Sequence, residues 1–116
     1  MKMLNLKNSD FDALKSLLSS LGIEKIYVVD RDPSRVLILG ICSNHQFLIL
    51  VAKGENSWYS KIVFANEVLE LYWKCEYITY VPEGLYVFAK DLNELANKIV
   101  NTLNKLVNLR TVKQRP

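Results

Sequence analysis

Two apolar runs, Val36 to Ile41 and Phe47 to Ala52, are separated only by the segment Cys42 to Gln46. A run that is apolar at every position has no face suited to water. Runs of this length match strands buried on both sides, as in a sheet covered by helices front and back. The joining residues Ser43-Asn44-His45 are turn chemistry and make the pair a hairpin. This constraint requires the rest of the chain to supply two covering layers.

The flanking sequence offers candidates for those layers. Ser9 reads as a helix N-cap, with Asp10 and Asp12 in the first turn, where negative charge suits the helix dipole. Phe11, Leu14, Leu17, Leu18 and Leu21 recur at helical spacing, and Gly22 is a natural stop. Ile23 to Asp30 reads as a strand, and Asp30-Arg31-Asp32-Pro33-Ser34 as a turn. Gly54 to Ser60 is polar and reads as a loop, Lys61 to Phe64 as extended chain. Asn66 is placed to cap a short helix carrying Val68, Leu69, Tyr72 and Trp73. Tyr77 to Val81 and Leu85 to Ala89 read as the fourth and fifth strands, joined by Pro82-Glu83-Gly84. Asp91 with Glu94 opens a final helix whose apolar stripe runs from Leu92 to Val107. The expected order is α-β-β-β-α-β-β-α, an α/β fold with a mixed five-stranded sheet flanked by helices. The expected organisation is a tail at 1–8, one domain at 9–107 and a frayed basic tail at 108–116 carrying Arg110, Lys113 and Arg115.

Composition agrees with one domain. Half of the 116 residues are hydrophobic and 23% are charged, so the chain can bury a core and is not of the disordered class. No apolar run is long enough to cross a bilayer. Met1 to Lys7 mixes polar and apolar residues and does not read as a signal peptide. Cys42 and Cys75 lack any paired spacing and read as free, small apolar residues in a reducing compartment, which gives a cytoplasmic expectation. The formal charge of +3 permits nucleic-acid contact without requiring it.

The element order, with Leu48-Ile49-Leu50-Val51-Ala52-Lys53 ending in a lysine, resembles the PD-(D/E)xK nuclease superfamily, restriction-endonuclease-like in fold. Within it, the likeness is to the archaeal Holliday-junction resolvases. Lys61-Ile62-Val63-Phe64 resembles the basic and aromatic segment before that family's second helix, and the later elements follow at similar spacing, over about residues 9 to 105. The resemblance implies a homodimer that cuts branched DNA with a divalent metal. Two carboxylates would hold Mg²⁺, which prefers hard oxygen ligands, and a lysine would assist the attacking water. Here Ile38 and Val51 stand at the two acid positions, and Lys53 alone remains. An ammonium is only a donor and cannot hold a cation.

The resemblance therefore implies a non-catalytic, resolvase-like protein without metal. It would act as a dimeric partner or regulator in DNA recombination and repair, as a homodimer or with a catalytic paralogue. Weak branched-DNA binding would fall on Lys53, Lys61, Arg31, Arg35, Trp58 and Tyr59. Trp58 and Tyr59, read in a polar loop, suit stacking on a base or anchoring a partner, or else fold back onto the sheet. In the turn Asp30 to Arg35 two acids offset two arginines, which weakens any grip on phosphate. An alternative is an active Mg²⁺ endonuclease with relocated groups Asp32, Glu55 and Lys53. A roadblock-like dimeric scaffold is a minor alternative, opposed by the short link between the two apolar runs. His45, the only histidine, reads as a surface turn residue.

Overall fold

The computed structural model describes the backbone of residues 3–114 and the side chains of 3–109. It consists of α1 (Asn8–Ser20), β1 (Lys25–Arg31), β2 (Arg35–Cys42), β3 (His45–Lys53), β4 (Trp58–Phe64), α2 (Cys75–Tyr80), β5 (Leu85–Ala89) and α3 (Leu92–Gln114). Two 3-10 turns, Ala65–Glu67 and Glu70–Tyr72, precede α2. The five strands lie in the sheet in chain order, and every neighbouring pair is antiparallel.

The two apolar runs form β2 and β3, the second and third strands of the sheet, paired from Arg35↔Ala52 to Cys42↔His45. Their turn places Ser43 and Asn44 at φ of 50° and 65°. Left-handed residues at both central positions are what a two-residue hairpin needs to follow the strand twist. Successive side chains point to opposite faces. One set, including Val36, Ile38, Phe47, Ile49 and Val51, packs under Leu14 and Leu18 of α1 and Leu95, Ile99 and Leu103 of α3. The other, including Leu37, Leu48 and Leu50, packs under Ala65, Val68, Cys75 and Ile78. The requirement for two covers is met, but unequally. Helices of 13 and 23 residues cover the first face. The second is covered by an excursion between β4 and β5 whose longest element is the six-residue α2.

Several expectations need correction. The sheet is antiparallel throughout, not mixed, because Lys61 to Phe64, read only as extended chain, belongs to β4 and pairs with β3 as a second hairpin. Its turn is only Gly54 to Ser57, closed by the Gly54 amide on the Ser57 carbonyl at 2.8 Å, so Trp58 to Ser60 is strand and not loop. The helix expected from Asn66 is two 3-10 turns. Tyr77 to Val81 is not a strand, since α2 spans Cys75–Tyr80. Only Cys75 and Ile78 of that helix are buried, a spacing of three that turns Tyr77 and Tyr80 outward. The helix α1 starts at Asn8. Asp10 rather than Ser9 provides its cap, accepting the Lys7 amide at 3.0 Å. The expected stop at Gly22 holds, with φ of +108°. The tail expected from 108 is part of α3 as far as Gln114; the side chains of Arg110, Lys113 and Arg115 lie outside the described residues. No described helix is long and apolar enough to cross a membrane.

Gly84 is fixed by geometry. It sits at φ of +115°, and a Cβ there would lie 2.5 Å from Val63 Cγ1 and 2.8 Å from the Ile62 carbonyl. The return of the chain into β5 passes too close to β4 for any side chain.

Candidate functional site

The two positions where the nuclease resemblance would place metal-binding acids are closed. Ile38 and Val51 are both 0% exposed and sit in the core beneath α1 and α3. A carboxylate at either point would be an unpaired charge in an apolar core. Lys53, at the end of β3, donates to Asp10 Oδ2 at 3.0 Å, and its ammonium lies 5.5 Å from the centre of the Trp58 ring. Burial alone would raise the Asp10 carboxyl. The Lys7 amide and the Lys53 ammonium outweigh it and hold the group below its ordinary value. The pair fastens α1 to the sheet.

The other basic candidates are similarly engaged. Arg31 donates to Asn8 Oδ1 at 2.9 Å and to the Leu6 carbonyl at 2.8 Å, tying the N-terminal segment to β1. Arg35 donates to Asp32 Oδ2 at 2.7 Å and to Thr79 Oγ1 at 2.9 Å. Asp32 Oδ1 accepts the amides of Ser34 and Arg35, so both carboxylate oxygens serve the turn.

Lys61 is the largest departure from expectation. It is 2% exposed and therefore does not present an ammonium to DNA. Its Nζ donates to the Ile78 carbonyl at 2.8 Å and also to the carbonyls of Thr79 and Val81. The end of a short helix leaves its last carbonyls short of intrahelical donors, and the Ile78 carbonyl accepts the Val81 amide as well. Lys61 thus anchors the C-terminal end of α2 to β4. At the other end, Asp30 Oδ2 accepts the Cys75 amide at 2.8 Å. Burial pushes the Cys75 thiol up to about 12, with Asp30 and Asp32 adding to the shift, so it is inert as a nucleophile at neutral pH.

Trp58 is buried against the α1–α3 side and is not available for stacking. Tyr59 is half-buried on the opposite face beside Phe88, with ring centres 6.2 Å apart. His45 lies against Phe47 and Phe64 at the β2–β3 turn. The relocated metal set does not fit a divalent cation. Asp32 is committed to Arg35 and Lys53 to Asp10, and Glu55 is exposed at a hairpin tip. Among the described residues no three His, Cys, Asp or Glu side chains are grouped to hold a metal.

What the structure does bring together is tyrosine. All six tyrosines lie on the α2 side of the sheet. Tyr27 is opposite Leu39, which packs in the second core cluster. Tyr59 and Tyr86 share a face with Leu50 through the registers Ala52↔Tyr59, Leu50↔Lys61 and Lys61↔Tyr86. Tyr72, Tyr77 and Tyr80 belong to the excursion itself, with Tyr72 and Tyr77 edge to face at 5.2 Å. Tyr80 is 79% exposed and Tyr77 49%, and Leu69, Leu71 and Phe88 are also exposed on this side. Concavities surround α2. One of about 330 Å³ is lined by Leu50, Tyr59, Tyr86 and Phe88; another of about 380 Å³ by Leu69, Tyr72, Tyr77, Tyr80 and Pro82.

None of the expected DNA contacts falls on Tyr72, Tyr77 or Tyr80. The available signal was the segment from Leu69 to Tyr80, where large apolar residues outnumber those a six-residue helix can bury. Compared with known protein families, curated proteins and solved structures, the chain finds no match.

Proposed function

We propose that this chain is a non-catalytic docking protein that holds another protein on the α2 side of its sheet. The observation that carries this reading is the gathering of every tyrosine on one side, most of them exposed. Monomeric soluble proteins rarely leave large contiguous apolar patches, and those they leave mark binding surfaces. Tyrosine is favoured there because it offers a large rigid ring with a polar tip.

The closed chemistry supports the same reading. Lys53 is paired, Ile38 and Val51 are core, and Lys61 is a structural clamp. Protein rather than DNA is the favoured contact because Arg31, Arg35, Lys53 and Lys61 are all engaged internally. The sheet is antiparallel throughout where a mixed one was expected, so the reading rests on the exposed face and not on the resolvase resemblance.

The test pairs two assays on the purified chain. Incubation with a labelled four-way junction and Mg²⁺ should give no cleavage. Affinity capture from the native source should recover a protein that Tyr77→Ser/Tyr80→Ser loses and Lys105→Ser, on α3, retains. Metal-dependent cleavage abolished by Lys53→Ala, or capture indifferent to the tyrosine substitutions, would overturn the reading.

A further inference from the structure

We infer that the occupant of the α2-side face is a cationic, amphipathic segment of another protein; this rests on the docking reading and names the chemistry of its partner. Charge in the chain is segregated. Residues 65–84 carry four glutamates and one lysine, a formal −3, while the whole chain is +3, which leaves +6 on the remainder. The acids are also in different states. The ion pairs among the described residues engage Asp10, Asp32 and Glu94, all outside the excursion. Glu70, Glu76 and Glu83 are exposed and form no ion pair with any described residue. The concavity of about 380 Å³ has an apolar floor of Val68, Leu69, Tyr72, Tyr77 and Tyr80 and carries Glu67 and Glu83 in its lining.

An apolar floor with acidic margins selects a segment that is apolar on one side and carries lysine or arginine on the other. Exposed tyrosine rings add attraction for the same cations through their negative faces. A second copy placed on this face by a two-fold axis would set glutamates against glutamates, which opposes an isologous dimer here. Nucleic acid is opposed by the same negative charge. The platform is also held in advance. Lys61 fixes one end of α2, Asp30 the other, and Arg35 reaches Thr79 in between. A surface already ordered loses less freedom on binding.

The experiment titrates the ¹⁵N-labelled full chain with two synthetic helical peptides that share one leucine face. One bears lysines on its polar face and the other glutamates. The lysine peptide should shift amides between Glu67 and Phe88, and should bind about tenfold more weakly when salt is raised from roughly 50 to 300 mM. The glutamate peptide should not bind. Glu76→Lys/Glu83→Lys should weaken the lysine peptide by about tenfold or more, whereas Glu24→Lys, outside the excursion, should not. Equal binding of both peptides on the α2 face would overturn the cationic partner while leaving the docking reading standing. Shifts confined to α1 and α3, or no binding of either peptide, would overturn both. A dimer in sedimentation that Tyr80→Lys abolishes would replace the cationic partner with a second copy.

Discussion

The two faces of the sheet start from the same sequence pattern and end differently. Along β2 and β3, residues alternate between a cluster capped by α1 and α3 and a cluster capped by the β4–β5 excursion. The long helices seal their side so well that Phe47, Ile49, Leu95 and Leu103 are all fully buried. The excursion seals only the middle of its side, through Ala65, Val68, Cys75 and Ile78, and leaves tyrosines around that centre. An isolated helix of six residues is not stable in water. Here α2 persists because side chains from the sheet satisfy both its ends. The difference suggests a division of labour, with one face making the fold and the other presenting a prepared surface.

That division can be broken most sharply by placing an acid in the sealed core. Val51→Glu should unfold the chain or cost several kcal/mol, because it places a charge beneath α1 and α3, and should not create a metal site. Urea denaturation with and without Mg²⁺ would measure both. Next, Phe47→Ala on the sealed side should cost about 3–5 kcal/mol by the same denaturation, whereas Leu69→Ala on the open side should stay within about 0.5 kcal/mol.

Lys61→Met sharpens the comparison by attacking only the excursion. It removes the ammonium from the carbonyls of Ile78, Thr79 and Val81, of which Ile78 keeps the Val81 amide, so amide exchange in α2 should accelerate well before that of α3. A uniform change across both helices would show that the excursion is not a separate unit. A smaller effect falls on the pair joining α1 to the sheet. Lys53→Met should cost about 0.5–1 kcal/mol at neutral pH, the usual worth of a partly exposed pair. The Asp10 carboxyl is lowered from 3.8, so its stabilising contribution is complete above that value and is lost as pH falls through the folded pKa. Wild type and Lys53→Met should therefore converge in stability in strong acid. Least of all, Ser60→Ala should be neutral or slightly stabilising, since the buried Ser60 hydroxyl has no hydrogen-bond partner among the described residues.

The sealed side was legible in the sequence because its signals are local and redundant. The stripes of Leu14–Leu18 and Leu95–Leu103, the apolar runs and the Gly22 stop each name their element directly. The open side was not, because its structure depends on contacts between distant residues. Nothing near Ile78 announces that Lys61, 17 residues away, will cap the helix end, or that Asp30 will meet the Cys75 amide from 45 residues away. Tyr77-Ile78-Thr79-Tyr80-Val81 has strand-like residue types, and tertiary contacts override that preference. Trp58 was misplaced for a related reason. The turn Gly54 to Ser57 is short and polar, and its polarity masked the start of β4. The lysines were legible as residues but not as roles, since a basic side chain looks alike in sequence whether it faces solvent or a helix end.

The central claim is that the tyrosines of the open face serve binding and not folding. The most direct measurement is the urea unfolding free energy of Tyr77→Ser/Tyr80→Ser against wild type. The account predicts a difference within about 1 kcal/mol, as for exposed positions whose contacts are few. A loss of several kcal/mol would contradict it and return those rings to the core.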